Sequence, residues 1–102
     1  MLCLVMIYGR KPEEQVFQPL HLVPPNVDGL LNAVSAKYSM DKDKITGLFK
    51  QSLKGVTVKV DDEMIKHYCN EDTYVIQMSQ GEDGSVAITL IELDIGQPQT
   101  SG

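Results

Sequence analysis

Residues Leu2 to Tyr8 read Leu-Cys-Leu-Val-Met-Ile-Tyr with no polar interruption. Successive side chains of a strand point to opposite faces, so such a run cannot be a half-wet strand; it has to be covered on both sides. It is also far shorter than the ~20 residues of a membrane-spanning helix. A secretory leader would need basic residues before the run and small residues after it, and neither is present. The run therefore calls for a sheet with this strand inside it. With 102 residues, 42% of them hydrophobic, the chain can build one core and one domain, for which roughly 65% of the extended surface leaves water without a metal or disulfide staple. That domain is placed at residues 2–95. Gly96-Gln-Pro-Gln-Thr-Ser-Gly102 reads as a disordered tail, with linker composition.

The other elements follow from local chemistry. Gly9 to Glu14 supplies a turn, and Val16 to Val23 forms a second strand in which Leu20 and Leu22 alternate with His21, giving a hairpin with a loose loop. Pro24-Pro25 stops the strand, Asn26 caps a helix, and Asp28 complements its dipole. Val27, Leu30, Leu31, Val34 and Tyr38 share one face of that helix, and Lys37 sits in its last turn. Ile45 to Ser52 is expected as a bent strand, and Val56 to Val60 as a short strand after the Lys54-Gly55 turn. Asp61 caps a short helix that points Met64, Ile65 and Tyr68 to the core, and two strands close the chain, Thr73 to Met78 and Val86 to Leu93. The fold class is α+β: a mixed sheet with one main and one short helix, in the element order of a ubiquitin-like β-grasp with one extra C-terminal strand.

Little in the sequence suggests catalysis or cofactor chemistry. Cys3 and Cys69 are too far apart for a metal or redox pair and read as reduced, buried thiols. His67 and Cys69 lie two apart, on opposite sides of a helix, and cannot form a dyad. Asp61-Asp62-Glu63 suits a helix N-terminus, with no spaced ligands to follow. Lys42, Lys44, Lys50 and Lys54 read as a solvated face. No catalytic, metal, cofactor or small-molecule site is expected. The formal charge of −5 is the wrong sign for a module that binds nucleic acid or a membrane surface by itself.

What remains is surplus apolar strand surface. Leu2, Leu4, Met6 and Tyr8 share one face of the first strand and Cys3, Val5 and Ile7 the other; Ile91 and Leu93 likewise oppose Ile88 and Leu90. One face meets the helices, and the other fits a protein partner, above all a second copy. The candidate contact residues are Cys3, Val5 and Ile7, with Phe17, Val75 and Ile91 as neighbours.

Val23-Pro-Pro25, Gly29-Leu-Leu-Asn-Ala33, Lys37-Tyr38, Lys54-Gly55 and the stretch from Val60 to Asp72, in this order and spacing, resemble the C-terminal region of Grainyhead-type transcription factors of the CP2/Grainyhead family. The likeness runs from about Leu4 to Leu93 and departs at Gly9-Arg-Lys-Pro12, which leaves the hairpin open. It implies a nuclear protein whose C-terminal domain forms homodimers, or heterodimers with family members. A separate immunoglobulin-like domain would contact DNA, and no catalytic or cofactor residue carries over. A second reading is a monomeric ubiquitin-like adaptor for a heterologous protein. A head-to-tail scaffold could set Asp61, Asp62 and Glu63 against Arg10 and Lys11.

Overall fold

The computed structural model describes residues 5–66 and 72–93. The expectations for Cys3, His67, Tyr68, Cys69 and the tail at 96–102 fall outside them. The helix with the strongest sequence signal, α1, spans Val27–Lys37. The Asn26 side chain accepts a hydrogen bond from the Gly29 N–H at 3.0 Å, satisfying one of the unpaired donors of the first turn. The Val27 N–H donates at 2.8 Å to Asp62 Oδ1, which belongs to the short helix α2, Asp62–Lys66. The acidic run after Val60 therefore does two capping jobs, because Asp61 Oδ1 accepts from the Met64 N–H at 2.9 Å in its own helix.

Six strands form one sheet: β1 (Val5–Arg10), β2 (Gln18–Leu22), β3 (Ile45–Gln51), β4 (Thr57–Lys59), β5 (Thr73–Gln80) and β6 (Val86–Glu92). A single 3-10 turn, Lys42–Lys44, precedes β3. The spatial order is β2-β1-β5-β6-β3-β4, with β1 parallel to β5 and β3 parallel to β6. Without β6 the order becomes that of a β-grasp sheet. The extra C-terminal strand is thus inserted at the centre, where its apolar content is needed on both faces. β3 bends as expected, through an irregularity between Ile45 and Gly47.

The core lies on one side of the sheet. Ile7, Leu20, Leu22, Leu48, Tyr74, Ile76, Ile88 and Leu90 from the strands meet Leu30 and Val34 of α1 and Ile65 of α2. Both helices therefore cover the same face.

Two local expectations are corrected. Gly9 and Arg10 continue β1 rather than turning. A Cβ on Gly9 would lie 2.6 Å from Ile76 Cδ1 and 3.2 Å from Leu20 Cδ1, so this glycine serves the close packing of three strands rather than a turn. The loop between β1 and β2 is tied down, not loose. Arg10 Nη1 donates to the carbonyls of Lys11, Pro12 and Glu14 at 3.0–3.3 Å. Glu14 Oε1 accepts from the Lys11 N–H at 2.7 Å and from the Tyr38 hydroxyl at 2.9 Å, which pins the loop to the end of α1. The hydrogen bond from the Lys11 backbone N–H, then the one from the Tyr38 hydroxyl, holds the Glu14 carboxyl below its ordinary range. Burial and the neighbouring carboxylate push the Tyr38 phenol up to about 12.

Candidate interaction surface

Strand parity decides what the helix-free face carries. Ile7 is fully buried, so Met6, Tyr8 and Arg10 point to the other side of β1. On β5 and β6 the buried Tyr74, Ile76, Ile88 and Leu90 leave Val75, Gln77, Ala87, Thr89 and Ile91 on that outer face. Register aligns them in rows. Arg10 lies opposite Val75, Val75 opposite Ile91, and Ile91 opposite Gln51; the next row runs Gln77, Thr89, Phe49 and Lys59. The Arg10 guanidinium sits 5.0 Å from the centroid of the Phe17 ring, extending the first row onto the loop. Gly47, opposite Ala87, leaves room for Phe49, whose ring would lie 2.8 Å from a Cβ at that position.

The six expected contact residues divide. Phe17, Val75 and Ile91 lie together at the outer face, each half-buried. Ile7 is 0% exposed and Val5 packs against the same core. The face assignment for β1 is therefore reversed: the odd positions meet the helices and the even ones look outward. Cys3 lies outside the described residues. Met6, Tyr8, Phe49 and Ala87 were missed. Both faces of β1 are apolar, so alternation carries no sign. The usable clue was Gly9, in phase with Ile7, since a glycine inside a strand marks the tightly packed side.

The charged groups weighed as a head-to-tail scaffold are engaged within the molecule: Asp61 and Asp62 in the caps, Glu63 with Lys66 at 3.1 Å, Arg10 with its loop. Lys11 Nζ lies 4.7 Å from the centroid of the Tyr38 ring. Lys50, expected on a solvated face, is half-buried on the core side of β3, 3.5 Å from Glu92 Oε1 and 5.7 Å from the centroid of the Tyr74 ring. Lys42 Nζ meets Asp28 Oδ1 at 2.7 Å, a hydrogen bond that holds the Asp28 carboxyl below its ordinary range. Among the described residues no three His, Cys, Asp or Glu side chains converge as metal ligands, and no helix is long and apolar enough to cross a membrane.

A model of the GRHL1-like C-terminal domain matches residues 3–92. The chain belongs to the Grainyhead-like family. It is 49% identical over 96 residues to Grainyhead-like protein 1 homolog of Caenorhabditis elegans, covering 94% of this chain and 17% of that protein. Protein grainyhead of Drosophila melanogaster is 45% identical over 89 residues, 87% of this chain and 7% of the relative. Human Grainyhead-like protein 1 homolog is 44% identical over 89 residues, with 87% and 14% covered. The Grainyhead-like domain thus spans less than a fifth of each of these relatives. No solved structure matches it.

Proposed function

We propose that this Grainyhead-like domain joins two chains of a nuclear, DNA-binding transcription factor, as a homodimer or as a heterodimer with a family member, and that a different domain contacts the DNA. The observation that carries the proposal is the outer face of the sheet. Met6, Tyr8, Val75, Ile91, Phe49 and Ala87 come from four adjacent strands, and both described helices lie on the opposite side. Six strands give a face about 24 Å across and about 20 Å tall. With side-chain relief, such a face approaches the roughly 800 Å² per partner of a standard specific interface. An isologous contact through this face closes on itself and stops at two copies. Pairing makes binding of the second DNA-binding domain effectively intramolecular, raising affinity without a new DNA contact.

Sedimentation velocity over a wide concentration range tests this. The expected result is a mass that doubles with concentration and persists at high salt, and that returns to the monomer in Val75→Asp and Ile91→Asp with the circular dichroism spectrum unchanged. A chain that stays monomeric into the high-micromolar range overturns the reading and favours the monomeric adaptor.

A further inference from the structure

Positive charge is concentrated in one part of the chain. Residues 44–60 contain Lys44, Lys50, Lys54 and Lys59 and no carboxylate, whereas all 14 acidic residues lie elsewhere. That segment folds as β3, its turn and β4, at one edge of the sheet. Lys50 is taken by Glu92. Lys44, Lys54 and Lys59 are exposed, and no ion pair engages them among the described residues.

The same edge is open in two further respects. The Ser52 N–H donates to the Val56 carbonyl and the Val60 N–H to the Leu48 carbonyl, so the even positions of β4 pair with β3. The N–H and C=O groups of Thr57 and Lys59 face away from the sheet, where β4 has no neighbour. Apolar side chains cluster beside them: Leu53 is 55% exposed, Val56 58% and Val58 42%. At the Val60 end, where β4 parts from β3, a hollow of about 170 Å³ is lined by Val27, Leu31, Ile45, Leu48 and Val60, with Lys59 beside them. The opposite edge, β2, carries Pro19, a residue that discourages strand addition.

The geometry points to β4 as a docking edge for an extended acidic segment of another protein, in which carboxylates alternate with apolar side chains. Strand addition satisfies the outward backbone groups of Thr57 and Lys59. The two-residue period then places carboxylates beside Lys59 and apolar side chains beside Val56 and Val58, on opposite faces of the added strand. The rest of the chain carries 5 Lys and Arg against 14 Asp and Glu, so its net charge disfavours such a segment elsewhere and charge helps to select the site. A nucleic acid would use the lysines but gain nothing from the valines or from the free backbone groups.

The probe is a synthetic peptide, Glu-Val-Glu-Val-Asp-Val-Glu, titrated into the isotope-labelled 102-residue chain and followed by amide chemical shifts. Shifts are expected from Val56 to Val60 and around Ile45, with slowed hydrogen exchange at the Thr57 and Lys59 amides. Lys44→Glu with Lys59→Glu should weaken binding by about tenfold or more, as should high salt. Thr57→Pro removes an outward donor and no ladder bond, and should abolish binding while the circular dichroism stays native. Val75→Asp, on the face assigned to dimerisation, should leave peptide binding unchanged, so the two readings can fail separately. The proposal is overturned if there is no binding at millimolar peptide, or if the shifts fall on Met6, Val75 and Ile91 instead. Equal binding of a peptide with lysines in place of its carboxylates overturns it too, as does equal binding of a single-stranded oligonucleotide at the same amides. Concentration-dependent shifts of β4 without peptide that persist in Val75→Asp would assign the edge to a second copy and also overturn it.

Discussion

Replacing Gly29 by alanine sets two effects in α1 against each other. Helix propensity alone favours alanine by about 1 kcal/mol at an interior position. The structure opposes it, because a Cβ on Gly29 would lie 1.7 Å from the Pro24 carbonyl oxygen and 2.8 Å from its carbon. These are backbone atoms that cannot rotate away, so the start of α1 has to lift by more than about 1 Å, a gap that forfeits a quarter to a half of each dispersion contact it opens. Leu30 and Val34, both fully buried, are each worth about 1.5–3 kcal/mol of burial, so the partial loss comes to about 1–3 kcal/mol. The displacement also strains the Asn26 cap, whose donor is the Gly29 N–H itself, for about 1 kcal/mol more. Set against the propensity gain, the net expectation is a destabilisation of about 2 kcal/mol, or a fall of about 1–2 M in the urea midpoint at an unchanged slope. Urea unfolding followed by circular dichroism measures it. A Gly29→Ala variant as stable as the parent, or more so, would show that α1 does not rest on the Pro24 carbonyl and would refute the reasoning.

Other substitutions test neighbouring parts of the structure. Asp62→Ala should cost about 1 kcal/mol through loss of the Val27 cap, with Asp62→Asn recovering most of it because an amide oxygen still accepts; thermal unfolding separates the two. Ile7→Asp should unfold the chain, since it buries a charge in the core, whereas Val75→Asp should keep the far-ultraviolet spectrum native. Raising the Tyr38 phenol pKa to about 12 stabilises the fold fully below the unfolded value of 10.0, and that contribution disappears as pH rises through 12. Phenolate absorbance should therefore show a late-titrating component that shrinks in Tyr38→Phe. Glu14, Asp28 and Asp83, the last accepting from the Ser85 hydroxyl at 2.6 Å and from its N–H at 3.0 Å, have lowered carboxyl pKa values, so their contributions are present above the ordinary carboxylate range and are lost as pH falls below it. Acid unfolding of Glu14→Gln should accordingly depend less steeply on pH than that of the parent.

The elements with one wet and one dry side could be read from the sequence. α1 has its cap, its apolar face and its terminal lysine where spacing places them, and β2 buries Leu20 and Leu22 while exposing His21. β1 could not be read in this way. An apolar run on both faces specifies burial but not which parity the helices take, and they take Val5 and Ile7, the positions expected to meet a partner. The β1–β2 loop was misjudged because the local bonds of Arg10 and Lys11 are completed by the Tyr38 hydroxyl, 24 residues beyond Glu14 in sequence, and turn propensities encode neither. Lys50 looked like one more solvated lysine until strand pairing brought Glu92 alongside it. Half of the six expected contact residues, Phe17, Val75 and Ile91, fall on the candidate surface. Met6, Tyr8 and Phe49 required the register.

The placement of β6 also bears on how the domain is made. This strand is the last of the six in sequence, yet it pairs with β5 on one side and with β3, some forty residues earlier, on the other. Until β6 has been synthesised, β2, β1 and β5 form one half-sheet, β3 and β4 another, and no backbone pairing joins them. During translation the nascent domain would hold two unpaired interior edges and an open core, a state prone to misassembly. A chain that stops before Val86 would not be a slightly shortened domain; it would be two fragments of sheet joined only by loops and a helix.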